Sequence, residues 1–457
     1  MSARFLMIGL DGADGEVLDR YSADGTLPNL AALRSRGAAK RISSLPGLTD
    51  DALWASFQYA ADVADHGRYH FYHAGPDGSL RKAYWDEQEH LTFWDKLSAA
   101  GMRIAVLDVP KCRNPRPING IHLADWLVHG RYFPRPRSQP HSLAGEVIAT
   151  FGDAPSSRCG YWQHLLSDAE LSEVTSNLKQ GTRMKRKAGM HYLASQDWDL
   201  FLICFKAAHC ANHAFLDFEP SHPDHDPGRR ARMGDPILSA LLDIDQAIGD
   251  LVAAAGPDSE VVVFSPSDFQ PNGTVAHFLP EIVERVNARL AVAADQPAVS
   301  LDHGGQQSIG SSTRCQVLPY NENCAALRIF CGHASPAAPA VQPDPMTLDA
   351  VEAMLRTLRE RETGRTVIAE ITRPSTELKG SRAHCLPDLL IHWASGLFPD
   401  GLESSALGRF EGTSPAMRPG NHSAGGITIT AGTHLARLTD GVRSLADLGS
   451  LPEAVLA

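Results

Sequence analysis

Four places in the sequence carry side chains whose types and spacing suit chemistry on a metal ion or a phosphoryl group. In His209-Cys210-Ala211-Asn212-His213 the histidines are four apart, so on a helix they share one face and can chelate one ion. The zincin pattern is not met, because Cys210 stands where its glutamate would be, and in a chain with 20 histidines such spacing also arises without a metal. Asp11, in Gly9-Leu10-Asp11-Gly12-Ala13-Asp14-Gly15, follows an apolar run and can present a carboxylate to a metal; a tight polar turn is the competing reading. Thr49 stands just ahead of Asp50 and Asp51 at the start of a helix-like run. It reads either as a helix cap or as a metal-ionised hydroxyl aimed by the helix N-terminus at a phosphoryl group. His422, in Gly420-Asn421-His422-Ser423-Ala424-Gly425-Gly426, is a loop histidine that reads as a hydrogen-bond partner or a ligand. No GxSxG elbow, Walker A loop or Cys-x-Pro-x-Arg signature is present.

The elements that must position these groups alternate between strand and helix. Strands are expected at 4–9, 103–109, 199–205, 260–265, 366–371, 389–393 and 427–431. Helices are expected at 27–36, 50–60, 92–100, 167–195, 236–255 and 279–292. This rhythm predicts an α/β fold with a doubly wound, mostly parallel sheet, whose ligands gather at the carboxyl ends of the strands. One domain over 1–457 is expected. The Pro- and Arg-rich 110–164 stretch reads as an insertion forming a cap over one end of the sheet, and 286–346 as an insertion and linker region.

Composition narrows the function. Among 457 residues, 42 Lys and Arg face 53 Asp and Glu, giving a net charge of −11 without an extended basic stripe, so nucleic acid is not an expected partner. The short run Arg183-Met184-Lys185-Arg186-Lys187 reads as a solvated helix face. No apolar run is long enough to span a bilayer, and no signal-peptide layout is visible. The eight cysteines are scattered, without a CxxC pair, and read as reduced thiols of a cytoplasmic protein acting on a small molecule.

Taken in order, several segments resemble the alkaline phosphatase superfamily, in its type I phosphodiesterase/nucleotide pyrophosphatase branch. They are Ile8-Gly9-Leu10-Asp11-Gly12-Ala13-Asp14, Leu27-Pro28-Asn29-Leu30, Thr49 with Trp54-Ala55-Ser56-Phe57, and His66-Gly67-Arg68-Tyr69. Asp199-Leu200-Phe201 leading to His209 and His213, Asp243 to Gly249, and Gly420-Asn421-His422 with Gly425 complete the set. The resemblance implies an alkaline-phosphatase-like sheet with two metals, usually zinc, on its carboxyl edge, and a threonine alkoxide attacking phosphorus in line. Carried over by position, Thr49 is the nucleophile, Asp11 a ligand of the metal beside it, and His209, His213 and His422 hold the other metal. Arg68 and Lys206 are expected to hold substrate charge.

The chain departs from this pattern after the strand 260–265. The family places Asp-His-Gly there, and here the text is Ser265-Pro266-Ser267-Asp268. Serine and proline do not replace imidazole at zinc, so Asp268 is the one residue able to supply a substitute oxygen. Three histidines with an open fourth position suffice for a catalytic zinc, and also accept Fe(II) or Mn(II), so one or two divalent ions are expected. The expected activity is metal-dependent hydrolysis of a phosphate ester or related phosphorus compound. The rivals are a single-metal transferase, lyase or oxidative enzyme on the same fold, and a non-catalytic ligand-binding descendant.

Overall fold

The alternation along Ala3–Leu10 sets the layering: Leu6, Ile8 and Leu10 face one apolar layer, and Phe5 and Met7 the other. On the first face pack the helices Gly15–Ala23, Pro28–Ser35, Asp168–Leu193, Ala207–Phe215 and Pro236–Ala255. On the second pack Asp50–Tyr59, Phe93–Ala99 and Leu445–Leu456. The computed structural model describes residues 2–456 apart from 45–46, 49, 75–79, 83–89, 113, 132, 156–165, 294–314, 330–344 and 416.

Among the described residues the main sheet has eight strands. Their order is Gly37–Ile42, Gly426–Ala431, Glu260–Ser265, Ala3–Leu10, Trp198–Phe205, Ile104–Leu107, Gly120–Ala124 and Arg137–Gln139. The run from Glu260–Ser265 to Gly120–Ala124 is parallel. Gly426–Ala431 enters antiparallel between Gly37–Ile42 and Glu260–Ser265, and Arg137–Gln139 closes the opposite edge antiparallel. This is the doubly wound, mostly parallel α/β architecture expected of the sequence, and the helix Pro236–Ala255 and strand Glu260–Ser265 fall where the pattern put them.

Three features differ from the pattern. The stretch 110–140 supplies two strands of the main sheet; its short run Gly120–Ala124 is broken by His122 and flanked by prolines, which hides the strand. Gly37–Ile42 is an edge strand with Lys40 and Arg41, too polar to read as one. Within 286–346, Cys315–Leu318 and Cys324–Ile329 join Leu389–Trp393 and Ile368–Thr372 in a four-stranded antiparallel sheet. That sheet has its own apolar core, which includes Val283, Val286, Leu327, Ile391 and Trp393. The segments 294–314 and 330–344 of the same stretch lie outside the described residues.

The basic run at 183–187 is not wholly a solvated face. Lys185 is buried, with Nζ 2.7 Å from Asp108 Oδ2 and donating to the Cys204 carbonyl at 2.6 Å. Asp108, at φ +63°, also accepts the backbone N–H groups of Trp126 and Leu127. This buried pair therefore anchors the turn after Gly120–Ala124 at the carboxyl end of the sheet.

Candidate metal centre

Two of the histidines stand on the helix Ala207–Phe215, which begins one residue after the strand Trp198–Phe205 and is buried along its whole length. The third, His422, sits on Gly420–Ser423, a short strand paired antiparallel with Asp268–Pro271. The ring centroids are 4.6 Å apart for His209 and His213, 4.7 Å for His209 and His422, and 5.0 Å for His213 and His422. One ring nitrogen from each lies within 4.8 Å of the others.

The remaining ring nitrogens decide whether this is a ligand set. His213 Nδ1 is 2.7 Å from the Gly420 carbonyl oxygen. A carbonyl only accepts, so Nδ1 carries the proton and Nε2 keeps the lone pair. His422 Nδ1 is 2.9 Å from Ser267 Oγ, which leaves its Nε2 for an ion. His209 Nδ1 lies 3.3 Å from Asp11 Oδ2 without hydrogen-bond alignment, and its buried Nε2 has no partner among the described residues. Buried imidazole nitrogens left over after the outer nitrogens are engaged are what a metal site requires. Burial, with positive neighbours, pushes His213 well below its ordinary pKa and His422 down to about 3, so both stay neutral and able to donate. At His209 burial also opposes the charge, but the Asp11 carboxylate outweighs it and raises the pKa. Asp11 is correspondingly held below the usual carboxylate value despite its own burial.

A second layer fixes the strand that carries His422. Glu322 Oε1 accepts from Arg418 Nε at 2.6 Å and from the Asn421 amide at 3.1 Å, while Asn323 donates to the His422 carbonyl. Asn421 Oδ1 in turn accepts the His422 N–H. Phe269 packs on all three imidazoles, its ring centroid 4.5 Å from that of His422. Gly12 is held at φ +58°, where a Cβ would press 2.7 Å from the Phe269 ring and 3.2 Å from the His209 Cα, and its carbonyl accepts from Asn212 at 2.9 Å.

Beyond Asp11 the site turns acidic. Asp11 Oδ1 accepts from the Trp54 indole at 3.0 Å. Asp50 opens the helix Asp50–Tyr59, and Lys111 Nζ lies 3.6 Å from its Oδ2 and 3.8 Å from Asp51 Oδ2. Arg68 stands 3.6 Å from Asp51 Oδ1. Burial disfavours charge at Asp50 and Lys111, yet Lys111 holds Asp50 low, and Asp51, Asp50 and Asp11 hold Lys111 high, so both are ionised.

The expected site residues thus divide. Asp11, His209, His213 and His422 come together, and Arg68 lies beside them on the acidic flank. Asp268 does not join them: its Oδ1 accepts from Gly15 N at 2.9 Å, and its Oδ2 pairs with Arg41. Lys206 reaches the Val128 carbonyl at 3.4 Å. Thr49 lies outside the described residues. Sequence reasoning missed Glu322 behind His422, and beside the histidines it missed Lys111 and His129. His129 stacks on His209 at 4.2 Å, 33° between planes, with Nδ1 3.8 Å from Cys210 Sγ. Lys111 and His129 stand in a Pro- and Arg-rich stretch without a motif, where the nearby turns at Asp108, Lys111 and Asp125 have positive φ.

Two of the shared segments turn out to be braces. Asp245 accepts from the Asn29 backbone and amide and from Leu30 N, closing the N-terminus of Pro28–Ser35. His66 Nδ1 accepts from Arg68 N, so its Nε2–H faces Ser56 Oγ at 3.0 Å and cannot serve that serine as a base.

A family model described as type I phosphodiesterase / nucleotide pyrophosphatase matches residues 5–309. No curated protein sequence matches the chain. Among solved structures, phosphonoacetate hydrolase from Sinorhizobium meliloti 1021 with phosphonoacetate bound is similar at a TM-score of 0.58 and 12% identity, covering 100% of this chain and 96% of that one. Its phosphonoformate complex gives 0.57 with the same identity and coverage. An inactive variant of murine ectonucleotide pyrophosphatase/phosphodiesterase 5 with AMP gives 0.53 at 11% identity, over 99% of this chain and 95% of that one.

Proposed function

The chain belongs to the type I phosphodiesterase / nucleotide pyrophosphatase family, and from that premise we propose a hydrolytic centre built on three imidazoles. The protein is a metal-dependent hydrolase of phosphate esters or related phosphorus compounds. In our reading His209, His213 and His422 hold its divalent ion, and zinc is the ion best suited to an all-imidazole set with an open position. The observation that carries this reading is the convergence of one ring nitrogen from each of the three imidazoles within 4.8 Å, with Gly420 and Ser267 engaging the outer nitrogens of His213 and His422.

A divalent ion bound there polarises a phosphoryl oxygen as a Lewis acid. The chain's own residues do the rest. Lys111 and Arg68 hold negative charge on the substrate next to the acidic flank, and His129 packs against the His209 ring. Thr49, adjacent in sequence to Asp50 at the head of its helix, is the proposed nucleophile. Asp11 sets a negative charge 3.3 Å from His209 Nδ1. The substrate we propose is small, a phosphate ester or a phosphonate. Among the described residues six cysteines are free thiols, five of them buried, which supports a reducing, cytoplasmic setting. No described helix is long and apolar enough to cross a membrane.

The test is hydrolysis of bis(4-nitrophenyl) phosphate and of phosphonoacetate before chelation, after chelation and after zinc is restored. Turnover of at least one that vanishes and returns with the ion is expected. Undiminished turnover in protein shown by elemental mass spectrometry to hold no metal would overturn the reading.

A further inference from the structure

We propose that this protein works with one metal ion, and that the ammonium group of Lys111 stands in place of the second ion expected of its relatives. The inference rests on the three-histidine centre above and concerns what lies beside it.

The ligands a second ion would need are spent elsewhere. After the strand Glu260–Ser265, Ser265 Oγ donates to the Ser267 carbonyl at 3.0 Å, and Ser267 Oγ buttresses His422. Where an imidazole was expected, the chain instead supports a ligand of the first ion. Asp268 is tied to Gly15 and Arg41 on the far side of its strand. Among the described residues three carboxylates remain, Asp11, Asp50 and Asp51, and each already faces a nitrogen donor of the protein. Asp11 has the Trp54 indole and His209, Asp50 has Lys111, and Asp51 has Lys111 and Arg68. An all-oxygen set is a poor match for zinc, and any dication would have to displace a buried ammonium from between two carboxylates.

Lys111 is built for that place. Its side chain is only 10% exposed, as enclosed as the 12% of Asp50, and its backbone sits at φ +54°, a conformation a non-glycine residue adopts at a cost. The segment is held by the Gln58 amide donating to the Pro110 carbonyl at 2.9 Å, which fixes the turn just before it. Charge balance agrees with the assignment. Lys111, Arg68 and one dication against three carboxylates leave a single positive charge for an anionic substrate. A second dication in place of Lys111 would leave two. An ammonium can also donate an N–H to a phosphoryl oxygen.

Elemental mass spectrometry of the full-length protein, purified with excess zinc and then desalted, gives the first reading. One equivalent is expected. Two tightly held equivalents would overturn the inference while leaving the centre intact, whereas none would sink the centre itself. Calorimetry with inorganic phosphate gives the second. In Lys111→Met the single metal stays and phosphate affinity falls about 10- to 100-fold. Lys111→Arg, which keeps the charge, loses far less and serves as the folded control. Phosphate affinity unchanged in Lys111→Met, or a second zinc bound by wild type at micromolar affinity, would end the proposal.

Discussion

The carbonyl of Gly420 accepts the Nδ1 proton of His213 across 2.7 Å, so the strand that carries one proposed metal ligand sets the ring orientation of another. The backbone contact is close: a Cβ at Gly420 would overlap the Asn212 carbonyl oxygen and press on Leu216. The helix Ala207–Phe215 and the strand Gly420–Ser423 therefore form one unit, and the ligand set depends on their separation.

Gly420→Ala is expected to loosen the metal without unfolding the sheet. Forcing the strand away from Asn212 lengthens the His213 contact, and zinc affinity should drop by at least about tenfold, in line with loss of an outer partner. Competition with a chromogenic chelator measures it, and near-unity Zn content at wild-type affinity would contradict the coupling.

His213→Ala and His422→Ala should each abolish zinc retention through desalting, since two imidazoles make an inadequate cage. Ser267→Ala should keep the ion and weaken it about 10- to 100-fold, because only the orienting contact is lost. Asp11→Ala should cost less metal than either histidine. Equal losses in all four variants would indicate a different ligand set.

Asp268→Asn tests the exclusion of that carboxylate from the metal and also carries a pH signature. Burial raises Asp268 to about 6, above the ordinary 3.8, with the Gly15 N–H and Arg41 opposing and Asp14 adding to the shift. A carboxyl raised on folding contributes stability that is complete below the unfolded pKa and is lost as pH rises through about 6. Between pH 4 and 7 the wild type should lose up to about 2 kcal/mol through this group, after allowance for its partial solvation. Chemical denaturation of the variant should show a flatter profile over that window. Its zinc content should stay at the wild-type value.

Asp245→Ala should destabilise the protein by about 2–4 kcal/mol, because three donors at the head of Pro28–Ser35 lose their acceptor. Metal content should be unchanged. Urea denaturation and elemental analysis together separate this brace from the site.

Local periodicity carried much of the fold and a good part of the site. The i, i+4 spacing of His209 and His213, the apolar run into Asp11 and the glycine-rich turn around His422 are visible in a linear text because each is local. Asp268 misled for a local reason too. Successive side chains on a strand point to opposite faces, so along Asp268–Pro271 Phe269 is turned to His422 and Asp268 to Arg41. Lys111, His129 and Glu322 were illegible because their importance comes from neighbours remote in sequence. Nothing in the runs that contain them distinguishes a buried lysine from a solvated one.

The antiparallel entry of Gly426–Ala431 imposes a schedule on the nascent chain. Thr430 and Ala38 are 392 positions apart, yet they are neighbours in the sheet. As the polypeptide leaves the ribosome, Gly37–Ile42 and one side of Glu260–Ser265 wait with open backbone edges until this strand arrives. The third imidazole arrives just before it, on Gly420–Ser423. On the proposed ligand set, metal capture and edge closure are therefore late, nearly simultaneous events. A chain stalled before them carries two lone histidines and an open sheet edge, a template for pairing with other chains.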